Sequence, residues 1–439
     1  MAKHLFNNKK VLIMGLGLHG GGVGVAKFFC QQGANVLVTD LKTEQQLEES
    51  VKKLTELRIK YSLGGHKEAD FLWADLIIKN PDVPNSSPYL EIARKNNIEV
   101  ETDINLFFKL SGAFIIGVTG TKGKSTTASL IYHLLKSKYK KTFLAGNIGV
   151  SPLDLLPKIK PGDKVVLELS SFELEDLTQS PNIAVITNIM PDHLNRYGTM
   201  AEYVESKKTI FKYQKSGDAL ILNNDDSIVR EFAKESTAKV IFYSAEKRPN
   251  EINLEKFKLF GRHNLYNLLA AIEVAKLLKV QDEAIEKSLK NFKGVPSRQE
   301  FVKEINGVKY FNDTTATIPE AVISAIESLS EEFPNGNIFL ICGGVYKGVE
   351  YKKMSEKIQE KNIGLIMLPG SASDKIKESL PKYKKINKVS SMQEAVKKAS
   401  ELAKKGDLVI LSPAASSFNM FKNEFDRGNQ FVEAVKNLR

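Results

Sequence analysis

The amino-acid sequence predicts an α/β protein with three domains, and three observations support this fold class. Short runs rich in Val, Ile and Leu alternate with longer helical stretches along the whole chain, which is typical of mainly parallel sheets built from β-α-β units. Glycine-rich turns follow two of the predicted strands. The length of 439 residues exceeds what one hydrophobic core usually serves.

The predicted strands are short apolar runs, and several end directly in Gly, Asp, Asn or Ser. In open α/β sheets, ligands bind at these carboxyl ends of the strands. We also expect a hairpin on an Asn-Gly turn at residues 301–311 and a helical stretch at residues 264–292. The predicted strands cover residues 10–14, 36–39, 76–78, 114–118, 165–169, 184–188, 219–222, 239–243, 338–342, 365–368 and 408–411.

Two boundaries divide this pattern into three segments. One lies near Ser111 and Gly112, before the second glycine-rich loop, and the other lies near residues 294–296, after the helical stretch. We therefore expect domains at residues 1–111, 112–295 and 296–439.

Composition indicates a globular protein without a membrane span. Hydrophobic residues make up 42% of the chain, but no run reaches the roughly 18 apolar residues that a spanning helix needs. Cys30 and Cys342 are too few for a disulfide framework, so a cytoplasmic location is expected. The net charge of +11 indicates either a solvated lysine-rich surface or a cleft for phosphorylated small molecules. The aromatic and basic stripe of a nucleic-acid groove is missing from the sequence.

The first glycine-rich turn runs from Gly15 to Gly20 and has the spacing G-x-G-x-x-G after an apolar strand. Such a turn lets the backbone approach a pyrophosphate, whose charge is met by the N-terminus of the next helix. Asp40 lies twenty residues beyond Gly20, where an acid commonly holds a ribose hydroxyl. The pattern alone fits a dehydrogenase, another nucleotide-diphosphate site, or a turn used only for packing.

The second loop, from Gly120 to Ser125, is more specific. It joins the strand at 114–118 to a helix predicted from Thr126, and backbone amides in such a loop converge on phosphate oxygens. Lys124 is placed to reach the β and γ phosphates, and the Ser125 hydroxyl can bind Mg²⁺. Val118 stands where the usual pattern has its first glycine, so this is a variant loop.

Two further residues are candidates for metal binding. Glu168 lies at the end of an apolar strand, where a buried carboxylate needs a partner such as Mg²⁺ or an ion-paired side chain. His193 follows another strand beside Asp192, and a neutral imidazole there could bind or orient a second metal.

Together these residues resemble the Mur ligase family over essentially the full length of the chain. The motifs that carry the resemblance are GLGLHG (15–20), GVTGTKGKST (117–126), GNIG (146–149), ELSSFELE (168–175), NIMPDHLNRYG (188–198), SKKTIF (206–211), GRHNLYNLLAA (261–271), PSRQE (296–300), NDTTAT (312–317), GGVYKG (343–348) and SPAASSFNMFKNEFDRG (412–428).

The resemblance implies an N-terminal Rossmann-like domain for a UDP-sugar, a central P-loop ATPase domain and a C-terminal Rossmann-like domain for the incoming amino acid. It implies an ATP-dependent amide ligase of peptidoglycan precursor synthesis in the bacterial cytoplasm, acting as a monomer. The expected substrates are UDP-N-acetylmuramoyl-L-alanine and D-glutamate, joined through an acyl phosphate. ATP, two Mg²⁺ ions and a carbamylated Lys207 are the expected cofactors.

The resemblance also assigns roles to individual residues. Those implied for catalysis are Lys124, His193, Lys207 and Lys347, and those implied for metal binding are Ser125, Glu168, His193 and the carbamate of Lys207. The residues implied for ATP binding are Gly120, Thr121, Lys122, Gly123, Lys124, Ser125, Thr126, Asn267, Arg298 and Asp313. Those implied for the UDP-sugar are Gly15, Leu16, Gly17, Leu18, His19, Gly20, Asp40, Asn80 and Asn147. Those implied for the amino acid are Thr317, Lys347, Ser417, Phe421 and Phe425.

Several departures from the family pattern leave the acceptor open. Thr315 replaces a frequent Lys, Asn419 replaces a frequent Asp, Glu173 replaces a frequent Gln, and Glu424 disturbs the alignment of the neighbouring aromatic residue. L-glutamate or another acidic amino acid therefore remains an alternative acceptor. Three further hypotheses are a polyglutamylating ligase of the same fold, an NAD-dependent oxidoreductase inferred from the first turn alone, and a basic binding module without catalytic activity.

Overall fold

The computed structural model describes residues 5–18, 20–254, 257, 259 and 261–438, with only the backbone of Asn195. Within these residues, three sheets contain five, six and six strands. The chain forms two compact units, one comprising Met1–Asn253 and Tyr266–Ser288, the other Leu254–Leu265 and Leu289–Arg439. The first two sheets lie in the first unit and the third sheet lies in the second. The predicted α/β class with three mainly parallel sheets is confirmed.

The first sheet is parallel and has the strand order β3-β2-β1-β4-β5. Its strands are β1 (Lys10–Met14), β2 (Asn35–Asp40), β3 (Ile59–Leu63), β4 (Leu76–Lys79) and β5 (Glu99–Glu101). The helices of this segment are α1 (Gly21–Gln31), α2 (Glu48–Lys52), α3 (Glu68–Trp73), α4 (Pro88–Lys95) and α5 (Asp103–Leu110).

The second sheet is also parallel and has the order β11-β10-β9-β6-β8-β7. Its strands are β6 (Phe114–Thr119), β7 (Thr142–Gly146), β8 (Lys164–Glu168), β9 (Ile183–Ile186), β10 (Ala219–Asn223) and β11 (Lys239–Tyr243). The helices of this segment are α6 (Lys124–Lys136), α7 (Ser171–Leu174), α8 (Leu194–Tyr197), α9 (Met200–Lys212), α10 (Ser227–Glu231), α11 (Arg262–Leu277) and α12 (Asp282–Asn291), and 3₁₀ turns lie at Pro152–Lys158 and Phe232–Lys234.

The third sheet has the order β12-β13-β17-β14-β15-β16 and is parallel except for the β12–β13 pair. Its strands are β12 (Glu300–Ile305), β13 (Val308–Asn312), β14 (Ile338–Cys342), β15 (Gly364–Met367), β16 (Ile386–Lys388) and β17 (Leu408–Leu411). Its helices are α13 (Pro319–Glu332), α14 (Lys352–Glu360), α15 (Ser371–Glu378), α16 (Met392–Leu402) and α17 (Glu424–Lys436).

The predicted hairpin is confirmed by β12 and β13. Asn306 and Gly307, the two residues of its turn, have φ values of 52° and 78°. Positive φ at both central positions is the geometry whose twist matches a two-residue hairpin, and Asn followed by Gly tolerates it best.

The sequence prediction missed β3, β5, β7 and β16, and all four are edge strands of their sheets. Edge strands are partly exposed and therefore lack the continuous apolar run that marked the central strands. The helical stretch predicted at 264–292 is confirmed and consists of two helices, α11 and α12, with a turn between them where Lys279 has a φ of 56°. The domain boundaries near residues 111 and 295 stay a prediction.

The apolar central strands form the core of each sheet. Val11, Ile116, Val166 and Ile410 are among the fully buried side chains. Among the residues that the structure describes, no helix combines the length and apolar character needed to cross a membrane.

Arg427 is a fully buried cation in the core of the second unit. Its guanidinium donates to Thr314 Oγ1 at 3.0 Å, to the Thr314 carbonyl oxygen at 2.9 Å and to the Ala415 carbonyl oxygen at 3.0 Å. Burial lowers the pKa of Arg427 to about 10, and Glu424 opposes this shift. One side chain on α17 therefore holds the segments that follow β13 and β17.

Arg427→Ala should destabilise the second unit by about 3 kcal/mol, because buried carbonyl oxygens lose their donors and a cavity forms. Trp73, the only tryptophan, lies in the first unit, so its fluorescence would not report this change. Hydrogen exchange of peptides covering β13 and α17 during urea unfolding is the suitable measurement. Lys436→Ala, an exposed change on the same helix, is the control. Equal protection in both variants would contradict the role of Arg427.

Candidate functional site

The second glycine-rich loop, residues 120–123 between β6 and α6, is called the phosphate loop for its predicted role. The segment that follows β9 holds it in place. The Thr121 amide donates to the Asn188 carbonyl oxygen at 2.8 Å, and the Lys122 amide donates to Asn188 Oδ1 at 2.9 Å. The Thr187 hydroxyl donates to the Lys122 carbonyl oxygen at 2.7 Å. Gly120 has a φ of 140°, and a Cβ atom there would lie 2.0 Å from Thr187 Oγ1, so only glycine fits.

Asn267 on α11 supports the same loop from its other side. Its Oδ1 accepts from the Thr127 hydroxyl at 3.1 Å, and a Cβ atom on Gly123 would lie 2.2 Å from that oxygen. The structure therefore gives Asn267 a role in packing against the loop. The predicted adenine contact of Asn267 stays a prediction.

Lys124 and Ser125 begin α6, directly after the loop. Lys124 Nζ donates to the carbonyl oxygens of Gly120 and Thr121 at 3.1 and 3.0 Å, so the ammonium group lies over the loop. Ser125 is buried and Thr126 is half-buried. The amides at this helix N-terminus and the Lys124 ammonium form an arrangement suited to phosphate oxygens.

Glu168 ends β8 and is only 1% exposed. Its Oε1 accepts from Asn147 Nδ2 at 3.1 Å, whereas Oε2 has no hydrogen-bond partner among the described residues. A buried carboxylate oxygen without a donor is costly, and a bound cation would satisfy it.

Lys207 on α9 is also 1% exposed, and its Nζ donates to Thr119 Oγ1 at 3.3 Å. The ammonium lies 5.3 Å from the centroid of the Tyr203 ring. Burial and then the nearby charge of Lys124 lower the pKa of Lys207 well below its ordinary value, against the opposing effects of Asp192, Glu173 and Glu168. A depressed pKa favours the neutral amine, which is the nucleophilic form of lysine.

His193 precedes α8 in a left-handed conformation with a φ of 51°. Its ring lies 4.9 Å from that of Phe172. Burial lowers the pKa of His193, Asp192 opposes this shift, and Lys124 and Lys207 add to it. The imidazole is therefore kept neutral, as a metal ligand or hydrogen-bond acceptor requires.

A cavity of about 450 Å³ in the first unit collects many of the predicted residues. Its wall includes two lysines near the phosphate loop, Lys124 and Lys207, and two glycines of the first glycine-rich turn, Gly15 and Gly17. The predicted residues that line it are Gly15, Leu16, Gly17, Leu18, Asn80, Lys124, Asn147, His193 and Lys207. Glu168 and Ser125 lie beside this cavity and do not line it.

Asp40 holds the first glycine turn through its carboxylate. Oδ2 accepts from the Leu16 and Gly17 amides at 2.9 and 3.1 Å, and Oδ1 accepts from the Lys42 amide at 2.9 Å. The structure thus shows a supporting role for Asp40, and its predicted contact with the nucleotide stays a prediction. Gly20 caps α1, and His19 lies outside the described residues.

A second cavity of about 560 Å³ lies beside the same turn. Asp40, Lys42, His66, Asn80 and Tyr89 contribute to its wall. The His66 Nδ1 atom lies 2.7 Å from Thr39 Oγ1, and the Tyr89 hydroxyl donates to the His66 carbonyl oxygen at 3.1 Å. This cavity provides an apolar and aromatic pocket next to the glycine-rich backbone.

Asp103 is a cavity residue that sequence reasoning missed. An acid at the start of α5 looks like an ordinary helix-terminal residue, so no sequence signal distinguished it. In the structure it lines the first cavity beside Ser151, whose hydroxyl lies 3.4 Å from Oδ2. Burial raises the pKa of Asp103 to about 6, and hydrogen bonds from Ile104 and Ser151 oppose the rise.

Glu173 lines the same cavity from α7. It forms a reciprocal cap with Ser170, whose amide donates to Oε2 at 2.6 Å. Burial raises the pKa of Glu173 to about 8, the hydrogen bond from Ser170 opposes the rise, and the charges of Asp103 and Glu168 add to it. Glu173 is therefore a neutral acid near pH 7.

Asp313 and Arg298, predicted for ATP binding, lie in the second unit. Asp313 accepts from the Gln299 amide at 3.1 Å and from the Ser412 hydroxyl at 2.8 Å. Burial raises the pKa of Asp313 to about 7, while these hydrogen bonds and the Arg298 charge oppose the shift. Arg298 is exposed.

Three of the residues predicted for the amino acid, Thr317, Lys347 and Ser417, lie in segments of the second unit that contact one another. Lys347 Nζ lies 3.3 Å from Thr317 Oγ1, and an antiparallel bridge from Val345 to Ser416 brings the 343–348 and 412–418 segments side by side. Ser417 is buried beside this bridge.

The two aromatic candidates differ sharply in exposure. Phe421 is 8% exposed and belongs to a hydrophobic cluster, whereas Phe425 is 53% exposed. Phe425 is therefore the accessible ring. Of the two replaced residues nearby, Thr315 donates to the Ser297 carbonyl oxygen at 2.9 Å and Asn419 donates to the Pro369 carbonyl oxygen at 2.7 Å.

Three protein-family models match consecutive parts of the chain. Residues 9–102 match the model "Mur ligase MurD-like, N-terminal domain", residues 118–275 match "Mur ligase middle domain", and residues 297–415 match "Mur ligase, glutamate ligase domain".

Individual proteins are similar over nearly the whole chain. The UDP-N-acetylmuramoylalanine–D-glutamate ligase of Roseiflexus sp. (strain RS-1) is 38% identical over 465 residues, which cover 98% of this chain and 99% of the relative. The crystal structure of the UDP-N-acetylmuramate-alanine ligase MurC of Thermotoga maritima has a TM-score of 0.63 and 20% identity, covering 98% and 99% of the two chains. The MurF ligase of Thermotoga maritima in complex with ADP has a TM-score of 0.57 and 21% identity, covering 92% and 94%. These two structures share the fold.

Glu173→Gln should become more stabilising as pH rises from about 5 to about 8. The Glu173 pKa is about 8 when folded and near 4.5 in the unfolded chain, so folding takes up a proton in this window and the wild type loses stability as pH rises. Gln does not titrate, so the difference in unfolding free energy should grow by up to a few kcal/mol. Urea unfolding at several pH values measures it, with the exposed Glu56→Gln as control. A difference independent of pH would contradict the assigned protonation.

Proposed function

Because this chain belongs to the Mur ligase family, we propose that it joins D-glutamate to UDP-N-acetylmuramoyl-L-alanine with conversion of ATP to ADP and phosphate. The observation that carries this proposal is the first cavity, where Lys124, Lys207 and His193 face the glycine turn of the first sheet. A cavity lined both by these three side chains and by the glycine turn suits a nucleotide-sugar substrate. Its pyrophosphate would lie at the glycine turn, and its alanyl carboxylate would lie near the phosphate loop. The Roseiflexus relative, which bears the name of this activity, supports the choice of D-glutamate.

ATP is the phosphoryl donor in this proposal. The amides at the start of α6 and the Lys124 ammonium suit the β and γ phosphates, where positive charge stabilises the leaving ADP. The ADP complex of the related MurF fold supports the same class of nucleotide. The ribose contact of Asp313 and the phosphate contact of Arg298 are implied by the family resemblance and stay predictions.

The UDP-sugar is assigned to the first segment of the chain. The Leu16 and Gly17 backbone, fixed by Asp40, would face the pyrophosphate, and the second cavity beside His66 and Tyr89 would take the uracil ring. Asn147 and Asn80 line the first cavity and would contact the sugar and its alanyl carboxylate.

The residues beside the phosphate loop fit Mg²⁺. Glu168 Oε2 is buried without a hydrogen-bond partner among the described residues, and Mg²⁺ prefers oxygen donors such as this carboxylate and the Ser125 hydroxyl. His193 and a carbamate on Lys207 would hold a second ion. Bound Mg²⁺ would neutralise phosphate charge during transfer.

A carbamate on Lys207 is chemically reasonable for this environment. A neutral amine attacks CO₂, and burial together with the charge of Lys124 favours the neutral amine. As the N–C bond forms, the nitrogen loses one proton to solvent, and the positive charge of Lys124 would stabilise the resulting carbamate anion.

The reaction then has two steps. The alanyl carboxylate attacks the γ-phosphorus of ATP, the bond to ADP breaks, and an acyl phosphate forms. The glutamate amine next attacks the acyl carbon, loses a proton, and phosphate leaves as the amide forms. In the first step Lys124 balances the charge on the transferring group, and Asn147 orients the attacking carboxylate.

The acceptor amino acid is assigned to the second unit. Lys347 with Thr317 would bind one carboxylate, and the buried Ser417 would bind the other. Phe425 is the more exposed of the two predicted aromatic residues and is the candidate for contact with the glutamate side chain.

Incubation with UDP-N-acetylmuramoyl-L-alanine, ATP, Mg²⁺ and each stereoisomer of Glu and Asp tests the function. Phosphate release and product mass should be seen with D-glutamate alone. Release with L-glutamate would instead support the same-fold ligase with another acceptor, and no release with any acceptor would overturn the proposal. Family membership already decides against the oxidoreductase and the non-catalytic binding module.

Lys124→Ala should lower kcat by about 10²–10³-fold, because a preorganised cation is lost where charge develops. Steady-state phosphate release measures the effect. Lys136→Ala, an exposed change at the other end of α6, is the control and should stay near wild-type activity. Retained turnover in Lys124→Ala would remove Lys124 from the reaction.

Lys207→Ala should lose activity by about 10²-fold or more, and added formate or acetate should restore part of it by supplying an oxygen pair. The matched control is Lys208→Ala, whose side chain pairs with Glu205 and Glu235 at 2.7 Å. Carbon-13 NMR with labelled bicarbonate should show a carbamate signal in the wild type that disappears in Lys207→Ala. Identical spectra would refute the carbamate.

A further inference from the structure

Arg196 lies in the 188–198 motif, and the proposed reaction assigns no role to it. It belongs to α8, and its backbone amide donates to the His193 carbonyl oxygen at 2.9 Å. Its side chain is 17% exposed, so most of the guanidinium is buried within the first unit.

The Arg196 guanidinium joins two separate segments. Nε and Nη2 donate to the two carboxylate oxygens of Glu175 at 3.1 and 2.8 Å. On its other side, Nη1 donates to the Asp82 carbonyl oxygen at 2.9 Å, and Nη2 donates to the Pro81 carbonyl oxygen at 3.3 Å. One planar group therefore ties the residues after β4 to the end of α7.

A second link holds the same loop, residues 79–85. The Lys79 side chain is 2% exposed and its Nζ lies 2.7 Å from Asp176 Oδ2. Asn85 Nδ2 donates to Asp176 Oδ1 at 2.9 Å. Residues of this loop line the two cavities described above, so the position of the loop sets the shape of the cavity wall.

The planar face of the Arg196 guanidinium contacts Phe172, which in turn contacts His193. The guanidinium carbon lies 4.3 Å from the centroid of the Phe172 ring, and the His193 ring lies 4.9 Å from the same ring. Both contacts are within stacking distance. A continuous chain of contacts thus runs from the loop through Arg196 and Phe172 to His193.

We propose that Arg196 is a positioning residue. It holds residues 79–85, which form part of the wall of the UDP-sugar cavity, at a fixed position relative to His193. This role rests on the proposed ligase function. The two-sided bonding requires a planar guanidinium, because lysine presents one point charge and cannot bind a carboxylate bidentately while reaching two carbonyl oxygens.

Arg196→Lys tests the proposal, with Arg230→Lys as the matched control, since the exposed Arg230 side chain donates to the Asn224 carbonyl oxygen at a long 3.4 Å. We expect Arg196→Lys to raise KM for UDP-N-acetylmuramoyl-L-alanine about tenfold and to lower kcat, with KM for D-glutamate within about twofold. A merely structural role would lower the melting temperature and the active fraction while leaving both KM values unchanged, and that result would overturn the proposal.

Glu175→Gln gives an independent test if Arg196→Lys folds poorly. It removes the charge and one acceptor of the same link, so KM for the UDP-sugar should rise in the same direction. The double variant should be less impaired than the product of the single effects, because both changes cut one connection. Multiplicative effects would argue against a shared link.

Calorimetry with UDP-N-acetylmuramoyl-L-alanine separates failure of this inference from failure of the proposed function. If the wild type binds this compound but makes no product, the proposed reaction fails, and weaker binding by Arg196→Lys would still support the positioning role. Equal affinity in the two proteins would overturn that role. A wild type that does not bind the compound would overturn both.

Discussion

The burial of Lys207 and its repulsion by a second cation, Lys124, form the constraint on which the chemistry of the first unit depends. Lys207 is buried with Lys124 nearby, and burial and this repulsion together lower the Lys207 pKa. Burial, with a smaller contribution from the charges of Lys124 and Lys207, also lowers the pKa of His193. Lys124 lies on α6 and Lys207 lies on α9, where it contacts Thr119 at the end of β6. Binding of anions would reduce the electrostatic repulsion between these groups. Phosphates and a carbamate are the anions that the proposed function supplies.

The backbones of the phosphate loop and of the first glycine turn are both held in place by side chains distant in sequence. Gly120 lies against Thr187 and Gly123 lies against Asn267, so the phosphate loop is fixed by residues distant in sequence. In the first sheet, Asp40 fixes the first glycine turn in a similar way. Arg196 adds the connection between the two sides of the cavity. Catalysis that relies on positioning and charge needs such preorganised walls.

Sequence reasoning predicted the fold class and several of the residues that line the first cavity, because central parallel strands are apolar and glycine-rich loops have strict spacing. It missed the edge strands, where one exposed side dilutes the apolar pattern. It also missed Asp103, since an acid that starts a helix has the same sequence signature whether it faces solvent or a cavity. Glu173 stood out in the sequence only as a departure from the family, and the structure shows the burial that keeps it protonated.

The sequence by itself determined the three α/β segments, the phosphate loop and membership of the ligase family, since these depend on local periodicity and on residue types at set spacing. Only the tertiary structure decided that Phe421 belongs to the core while Phe425 is exposed, that Asp40 holds backbone amides, and that Arg196 spans two segments. The physical reason is that burial, pKa and hydrogen-bond partners depend on groups far apart in the chain, which meet only when the sheets and helices pack.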